Sequence, residues 1–120
     1  MELTINGQVY KFNFGMGFLR EIDSKLKRDM GNGVKVDAGF TFTFANFVDG
    51  SVVALVDILH AANVGQNPRI TKEALDNYVE NTDVDELYEN VMGFLKTANV
   101  LKQQTTKFLK AVEESKKAQE

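Results

Sequence analysis

Apolar and polar positions alternate over the first fourteen residues of the chain. Leu3 and Ile5 lie between polar neighbours, and apolar residues return from Val9 onward. Between the two runs stands Asn6-Gly7, the dipeptide that type I′ turns prefer because both of its residues tolerate a positive φ. The pattern predicts a β-hairpin from about residue 2 to residue 14. Two strands alone are marginal in water, so the apolar face of this hairpin must pack on the elements that follow.

A helical period replaces the alternation after Gly15-Met16-Gly17. From Phe18 to Met30 the apolar residues recur in steps of one, three, four and four, opposite a basic face. This spacing predicts an amphipathic helix, which Gly31-Asn32-Gly33 is expected to end because glycine adopts the left-handed conformation just past a helix. Residues 34–40 are ambiguous. Residues 40–44 alternate as in a strand, or they lead into the next helix.

The most apolar part of the chain lies between residues 44 and 62, where Asp49, Asp57 and His60 are the only ionisable residues. A helix that is apolar almost all round is buried, so we predict a central core helix over Asn46–Ala62. Residues 64–68, which include the single proline, are predicted to form a turn. Thr71 is a suitable N-cap for a short helix over Lys72–Glu80.

The remainder of the chain is predicted to be one long helix. Asp83 is followed three residues later by Glu86, which resembles a capping box, and beyond them only Gly93 and a low-propensity stretch at residues 97–99 favour a break. The seam of this helix has the heptad spacing of a packed helix. Its members are Leu87, Val91, Phe94, Ala98, Leu101, Thr105, Phe108 and Val112.

The length of this predicted helix suggests a binding surface. A helix of about 34 residues would be about 50 Å long, whereas a compact core of about 85 residues is about 30 Å across. The excess either folds back, pairs with a second copy or waits for another helix, because monomers rarely leave such an apolar stripe exposed. The expected partner-binding residues are Phe94, Leu95, Leu101, Phe108, Leu109 and Val112, with the alternative that Phe94 and Leu95 close the core of their own subunit.

These elements predict a mainly helical α+β fold, with an N-terminal β-hairpin packed on about four helices and a long C-terminal helix. We expect a globular domain over residues 1–98 and a lysine-rich helical tail over residues 99–120. At 120 residues the chain has the length of one domain, and no apolar run is long enough to span a membrane.

Composition and charge exclude several classes of function. The chain has no cysteine, which excludes thiol nucleophiles, disulfides and thiolate zinc sites. Its net charge of −3 argues against a general nucleic-acid binder. Residues 71–93 hold one lysine against seven carboxylates, whereas residues 101–120 hold five lysines against three carboxylates. This segregation suits reversible protein contacts, or it reflects a solvated helix surface followed by a solubilising tail.

The sequence contains no set of residues that predicts catalysis or a bound cofactor or metal. His60 is the only histidine, and a His–Asp pair with Asp57 at helical spacing is usually structural. Gly15-Met16-Gly17 lacks the further residues of a dinucleotide or phosphate-binding loop. The acidic cluster from Asp83 lacks the glycine and glutamate that a calcium loop requires at its sixth and twelfth positions. We therefore expect no enzymatic activity.

Residues 3–23, LTINGQVYKFNFGMGFLREID, resemble the start of phage tail assembly chaperones from siphophages and prophages of Gram-positive bacteria. The shared features are an Ile-Asn-Gly hairpin, a Phe-Gly-x-Gly-Phe turn and a helix rich in Arg, Glu and Leu. The apolar helix, residues 70–73 opening a short helix, the sequence Asp85-Glu86-Leu87-Tyr88 and the lysine-rich tail also fit. The resemblance covers roughly residues 1–100.

The resemblance implies a non-enzymatic assembly factor that acts in the cytoplasm of the bacterial host and is absent from the mature virion. Such proteins bind the tape measure protein, a very long helical molecule, and keep it soluble while tail tube subunits polymerise around it. In many phages a programmed frameshift adds a C-terminal extension that recruits the tail tube protein, and this chain would be the short form.

Two other classes of function compete with this interpretation. A small adaptor that forms homo-oligomers through its C-terminal helix would bury the same apolar seam. A helix-turn-helix regulator would need a basic recognition helix, and the most basic predicted helix carries a net charge of only about +1, too little to follow a phosphate backbone.

Overall fold

The computed structural model describes residues 1–118, which form two β-hairpins and six helices in a mainly helical α+β fold. The elements are β1 Glu2–Ile5, β2 Gln8–Lys11, α1 Met16–Asp23, β3 Lys27–Asp29, β4 Lys35–Asp37, α2 Gly39–Val48, α3 Val52–Ala62, α4 Lys72–Glu80, α5 Val84–Thr97 and α6 Lys102–Ala118. The predicted fold class is confirmed, although the described residues hold six helices and not about four. None of these helices combines the length and the apolar character needed to cross a membrane.

The N-terminal hairpin is the one that the sequence predicts. Strands β1 and β2 pair antiparallel with Ile5 opposite Gln8, and Asn6 and Gly7 have φ values of 52° and 77°. Both positive angles are those of a type I′ turn. The hairpin is fixed to the helices by a hydrogen bond from the backbone N–H of Asn13 to the carbonyl of Ala62, 2.8 Å long, and by the burial of Phe12.

Helix α1 is shorter than predicted, because the helix expected over residues 18–30 ends at Asp23. A second hairpin, β3–β4, follows it, and Gly31-Asn32-Gly33 forms the tip of that hairpin, with φ values of 95°, 55° and 76°. Every residue from 24 to 37 is exposed, and we call this segment the arm. With it, the Cα radius of gyration is 15.2 Å, against about 13.6 Å for a compact chain of this length.

The base of the arm is closed by contacts between α1 and α2. The N–H of Ala38 donates to the carbonyl of Leu26 over 2.9 Å, and the N–H of Phe40 donates to the Asp23 carboxylate over 3.2 Å. Asp23 thereby caps the N-terminus of α2, which lacks a cap of its own because Ala38 stands at that position. Gly39 lies directly against the carbonyl of Ile22.

The central apolar region forms two helices, so the prediction of a single helix over Asn46–Ala62 is wrong. Residues 40–44 lie in α2, as the lead-in alternative had it, and α2 ends at Val48. Gly50 has a φ of 96°, and the Ser51 hydroxyl then accepts a hydrogen bond from the N–H of Ala54 and caps α3. A glycine with positive φ followed by a serine N-cap ends one helix and starts another.

Helix α4 and the start of α5 agree with the predictions. The Thr71 hydroxyl accepts from the N–H of Ala74 over 3.1 Å, and the Asp83 carboxylate accepts from the N–H of Glu86 over 3.2 Å. The predicted turn after α3 is also present, and Asn63 organises it from a fully buried position. Its side-chain amide donates to the carbonyl of Lys11 over 2.8 Å and accepts from the N–H of Ile70 over 2.7 Å.

The prediction of a long C-terminal helix is confirmed by α6, but the prediction of one continuous helix from residue 83 is wrong. Helix α5 ends at Thr97, beside the predicted weak stretch, and α6 begins at Lys102 and packs on α2 and α5. Leu101 is fully buried, and so is Thr105, whose hydroxyl donates to the carbonyl of Leu101 over 3.1 Å. The boundary predicted at residue 98 falls in this turn, and residues 119–120 of the predicted tail lie outside the described residues.

Candidate functional site

Helix α5 is anchored to the core by one face and presents two others. Leu87, Val91 and Leu95 form the anchoring face and are almost completely buried. Beside them, the ring of Tyr88 stacks on that of Phe47 in α2, with 4.9 Å between ring centroids. Such aromatic pairs contribute about 0.5–1.5 kcal/mol beyond their buried area, so the spacing between α2 and α5 is well defined here.

A groove runs along α5 where it passes the C-terminal end of α2 and the start of α3, and we call it the α5 groove. Its volume is about 610 Å³, within the range of small-molecule and side-chain pockets. Its floor and walls are mainly apolar. The apolar members are Phe47, Val48, Val52, Val84, Tyr88 and Met92.

The rim of the α5 groove is mainly acidic. Asp85 and Glu89 line it together with one lysine, Lys96, and all three side chains are exposed. Residues 85, 89, 92 and 96 recur at helical spacing, so they lie along one face of α5. The groove therefore presents apolar surface beside carboxylates, an arrangement that suits an amphipathic segment carrying basic residues.

Tyr88 brings an unused polar group to the wall of this groove. Its hydroxyl is buried and makes no hydrogen bond with the described residues, and the burial raises the pKa of the phenol above 10.0. A buried hydroxyl without a partner is unfavourable by about 1–3 kcal/mol. It is the one orphaned polar atom along the groove among the described residues.

The outer surface of α5 continues from the groove across Gly93 to Phe94. Gly93 and Glu89 border both the α5 groove and a shallower hollow that Phe94 lines. A Cβ built on Gly93 would meet no atom within 4 Å, so the helix backbone is open to solvent at this point. A glycine inside a helix is unfavourable by about 1 kcal/mol relative to alanine. No packing contact with the described part of the chain explains this glycine.

The structure separates the six residues that the sequence predicts to be partner-binding. Phe94 is 42% exposed, although its ring stacks on Phe14 with 5.7 Å between centroids. Leu95 and Leu101 are fully buried in the core of their own subunit, so neither side chain is accessible to a partner in this conformation. For Leu95 this agrees with the alternative that it closes the core.

The other three predicted residues lie on α6. Phe108, Leu109 and Val112 are half-buried, and Phe108 packs edge-on against Phe44 of α2 with 5.4 Å between ring centroids. Of the three alternatives for the apolar seam, the described residues show the first, in which the helix folds back on its own subunit. The six residues therefore do not form one continuous exposed stripe.

The single histidine does not pair with its neighbouring carboxylate. Asp57 instead forms an ion pair with Lys72 of α4 at 3.1 Å. Burial, together with the nearby Arg69, Lys25 and Lys72, lowers the pKa of His60 below 6.5, and its Nδ1 has no hydrogen-bond partner in the described part of the chain. Its backbone carbonyl accepts from the Arg69 guanidinium over 2.6 Å, which is a structural contact.

The sequence analysis missed the exposed surface of the arm. In the β3–β4 register, Arg28 lies opposite Val36, and the N–H of Met30 donates to the carbonyl of Val34. Side chains alternate across a strand, so the apolar residues share one face of the arm with Arg28. These apolar residues are Leu26, Met30, Val34 and Val36, each 42–57% exposed. Their period of two around Gly-Asn-Gly was the available signal.

Comparison with known proteins identifies a family. A family model described as phage tail assembly chaperone protein, TAC, matches residues 2–110 of the 120 residues. No curated protein and no solved structure matches the chain significantly.

Proposed function

The chain belongs to the phage tail assembly chaperone family, and from this premise we propose that it binds the tape measure protein and keeps it soluble during tail morphogenesis. In this role it catalyses no reaction, acts in the cytoplasm of the bacterial host and is absent from the finished virion. A frameshifted long form would add the segment that recruits the tail tube protein.

The observation that carries the proposal is the α5 groove. A tape measure protein is a very long helical client, and an amphipathic helix buries its apolar stripe most readily in an elongated apolar groove. The groove follows α5 from Val84 to Lys96, which corresponds to about 18 Å at 1.5 Å per residue. This length accommodates about three turns of a client helix.

The outer surface of α5 supports a close approach of that client helix. Gly93 has no side chain to keep a second helix away, and Met92 and Phe94 flank it on the groove side and the hollow side. Phe94 is thus the residue of the sequence-predicted set that best fits direct contact with a client. Phe108, Leu109 and Val112 are half-buried on α6 and line neither the groove nor the hollow, so in this proposal they contact a client only through the exposed parts of their side chains.

The expected affinity is moderate. Burying an apolar side chain completely contributes about 1.5–3 kcal/mol, and the groove side chains are already partly covered. Association and ordering offset much of this gain. A chaperone that the tube subunits must displace requires such moderate binding. Many copies along one client raise the overall occupancy through avidity.

The acidic rim limits which client segments fit. Asp85 and Glu89 attract lysine or arginine residues beside the apolar stripe of a client helix and repel carboxylates there. Binding through this groove is therefore expected to weaken as the salt concentration rises, because the rim charges are exposed and screened.

Two valines provide a matched test of the groove. Val52 lines the groove and is 41% exposed, whereas Val9 lies on strand β2 outside it and is 43% exposed. We expect Val52→Asp to reduce capture of a co-expressed tape measure protein by about tenfold or more, equivalent to about 1.4 kcal/mol. The reason is that the client helix would have to bury an unpaired carboxylate.

Val9→Asp serves as the control and should capture the client as well as the wild-type chain does. Circular dichroism and thermal unfolding of both variants establish that each is folded. Equal capture by the two folded variants would exclude the α5 groove as the client surface.

The alternative of a small adaptor that oligomerises through its C-terminal helix gains no support from the position of α6. Phe108 and Leu109 of α6 pack against the core of their own subunit, so only the exposed parts of these half-buried side chains are left for a helix of a second copy.

A further inference from the structure

The arm exposes an apolar face that none of the described residues covers. Leu26, Met30, Val34 and Val36 lie on that face, and the residues between them carry the charges of the opposite face. On that opposite face Lys27 forms an ion pair with Asp37. An isolated two-stranded hairpin is marginally stable in water, and grouped exposed apolar residues mark interaction sites.

The arm is also positively charged. Residues 24–37 hold Lys25, Lys27, Arg28 and Lys35 against Asp29 and Asp37, a net charge of +2. Arg28 lies among the apolar residues, between Leu26 and Met30 on one strand and opposite Val36. Any surface that covers this face must therefore combine apolar groups with a carboxylate for the guanidinium.

The described part of the chain contains one such surface, the α5 groove. Its floor is apolar, its rim carries Asp85 and Glu89, and the surrounding residues 71–93 have a net charge of −6. The apolar face of the arm spans four residue steps from Leu26 to Met30, about 14 Å at 3.4 Å per residue. This length fits within the groove, which extends for about 18 Å along α5.

We propose that the arm of one copy of this chain docks in the α5 groove of a second copy. Arg28 then faces Glu89, and the four apolar side chains of the arm cover the groove floor. No residue of the arm lines the groove of its own subunit, and all residues of the arm are exposed. The contact joins two different surfaces, so it is heterologous unless two copies exchange arms reciprocally.

The proposed contact is small, so it should depend on concentration and on salt. A hairpin face and one groove bury less than the roughly 1,200–2,000 Å² of a stable interface, which places the contact among the transient ones. The pairing of a basic arm with an acidic groove adds attraction that added salt screens. The inference needs no client to be present, but the docked arm and a client helix would occupy the same groove and therefore exclude one another.

The test is sedimentation velocity of the purified full chain from about 10 µM to 1 mM, at low and at high salt. We expect the average mass to rise with concentration and this rise to shrink at high salt. Arg28→Glu and Glu89→Lys should each weaken self-association by about tenfold or more. The double variant should recover wild-type association to within about threefold, because the charges are exchanged across the contact.

Lys107→Glu, a charge reversal on the exposed side of α6, is the matched control and should leave association unchanged. Met30→Ser tests the apolar part. It should weaken association and leave the thermal unfolding temperature unchanged, because the Met30 side chain is exposed in the monomer.

Three outcomes would overturn the proposal. One is a monomer at every concentration, and another is association that neither single charge reversal weakens. The third is a double variant that associates no better than the single ones. In the first case, a Met30→Ser variant that no longer captures the tape measure protein would show that the arm binds the client and not a second copy.

Discussion

Gly39 offers a sharp test of how α1 and α2 are joined. It is the first residue of α2, and a Cβ built on it would lie 1.9 Å from the carbonyl oxygen of Ile22 and 3.0 Å from that of Asp23. Cβ atoms essentially never approach another heavy atom within 3.0 Å. The substitution Gly39→Ala therefore forces the end of α1 and the start of α2 apart by more than an ångström.

The expected loss of stability is large because the clashing atoms belong to the backbone. Overpacked cores lose about 1–3 kcal/mol when side chains can adjust, and here no rotamer change relieves the contact. The displacement also weakens the hydrogen bond from the N–H of Phe40 to Asp23 that caps α2. We expect Gly39→Ala to lower the free energy of unfolding by about 3 kcal/mol or more, against a typical total of 5–15 kcal/mol.

Urea unfolding followed by circular dichroism measures this change, and thermal unfolding should show a decrease of roughly 10 °C or more. Gly93→Ala is the matched control, because a Cβ there meets no atom within 4 Å. Its greater helix propensity should raise stability by about 0.5–1 kcal/mol. If Gly39→Ala unfolds within about 2 °C of the wild-type protein, the close contact of α1 and α2 described above is incorrect.

Further predictions concern three buried polar groups. The pKa of His60 is lowered in the folded state, so the unfolded chain takes up a proton first as the pH falls below 6.5, and the free energy of unfolding decreases from there toward the folded pKa. His60→Gln should remove this part of the decrease, which urea titrations at pH 7.5 and 5.5 measure. An unchanged pH dependence in this variant would contradict the prediction. Tyr88→Phe removes a hydroxyl without a partner and should leave stability unchanged or raise it by up to about 1 kcal/mol, whereas a clear loss in thermal unfolding would mean that the hydroxyl is bonded. Asn63→Ala leaves the N–H of Ile70 and the carbonyl of Lys11 unpaired, so it should lower the free energy of unfolding by about 3 kcal/mol in chemical denaturation. A loss below about 1 kcal/mol would show that these two hydrogen bonds contribute little to stability.

The sequence was sufficient where an element carries its own start and end signals. Asn6-Gly7 specifies the turn of the first hairpin, and Thr71 and Asp83 cap the helices that follow them, so these elements begin at the predicted residues. The resemblance to tail assembly chaperones rested on residues of the same kind near the N-terminus, and the match of the family model over residues 2–110 confirms the family.

The predictions were wrong where distant residues decide the structure. The cap of α2 is Asp23, which is 17 residues from the Phe40 N–H that it accepts from, so no local signal marked the start of that helix. Leu26 and Met30 continue the helical spacing of α1 and also fit the period of a strand. The burial of Phe40 and the contact at Gly39 favour the second alternative, because they end α1 at Asp23.

The candidate site depends on tertiary packing for the same reason. The residues that line the α5 groove come from α2, α3 and α5, and no short motif joins them in the sequence. The break between α5 and α6 contains neither glycine nor proline. The sequence predicted only a stretch of low helix propensity there. The position at which α6 turns back is determined by the burial of Leu101 and by the contact of Phe108 with Phe44.

The two ends of the arm meet at its base, where the N–H of Ala38 and the carbonyl of Leu26 are 2.9 Å apart. A segment that leaves and re-enters the domain at one point can be deleted and replaced by a short loop, because the two ends are already close together. Replacing the arm by such a loop should therefore leave the rest of the domain folded.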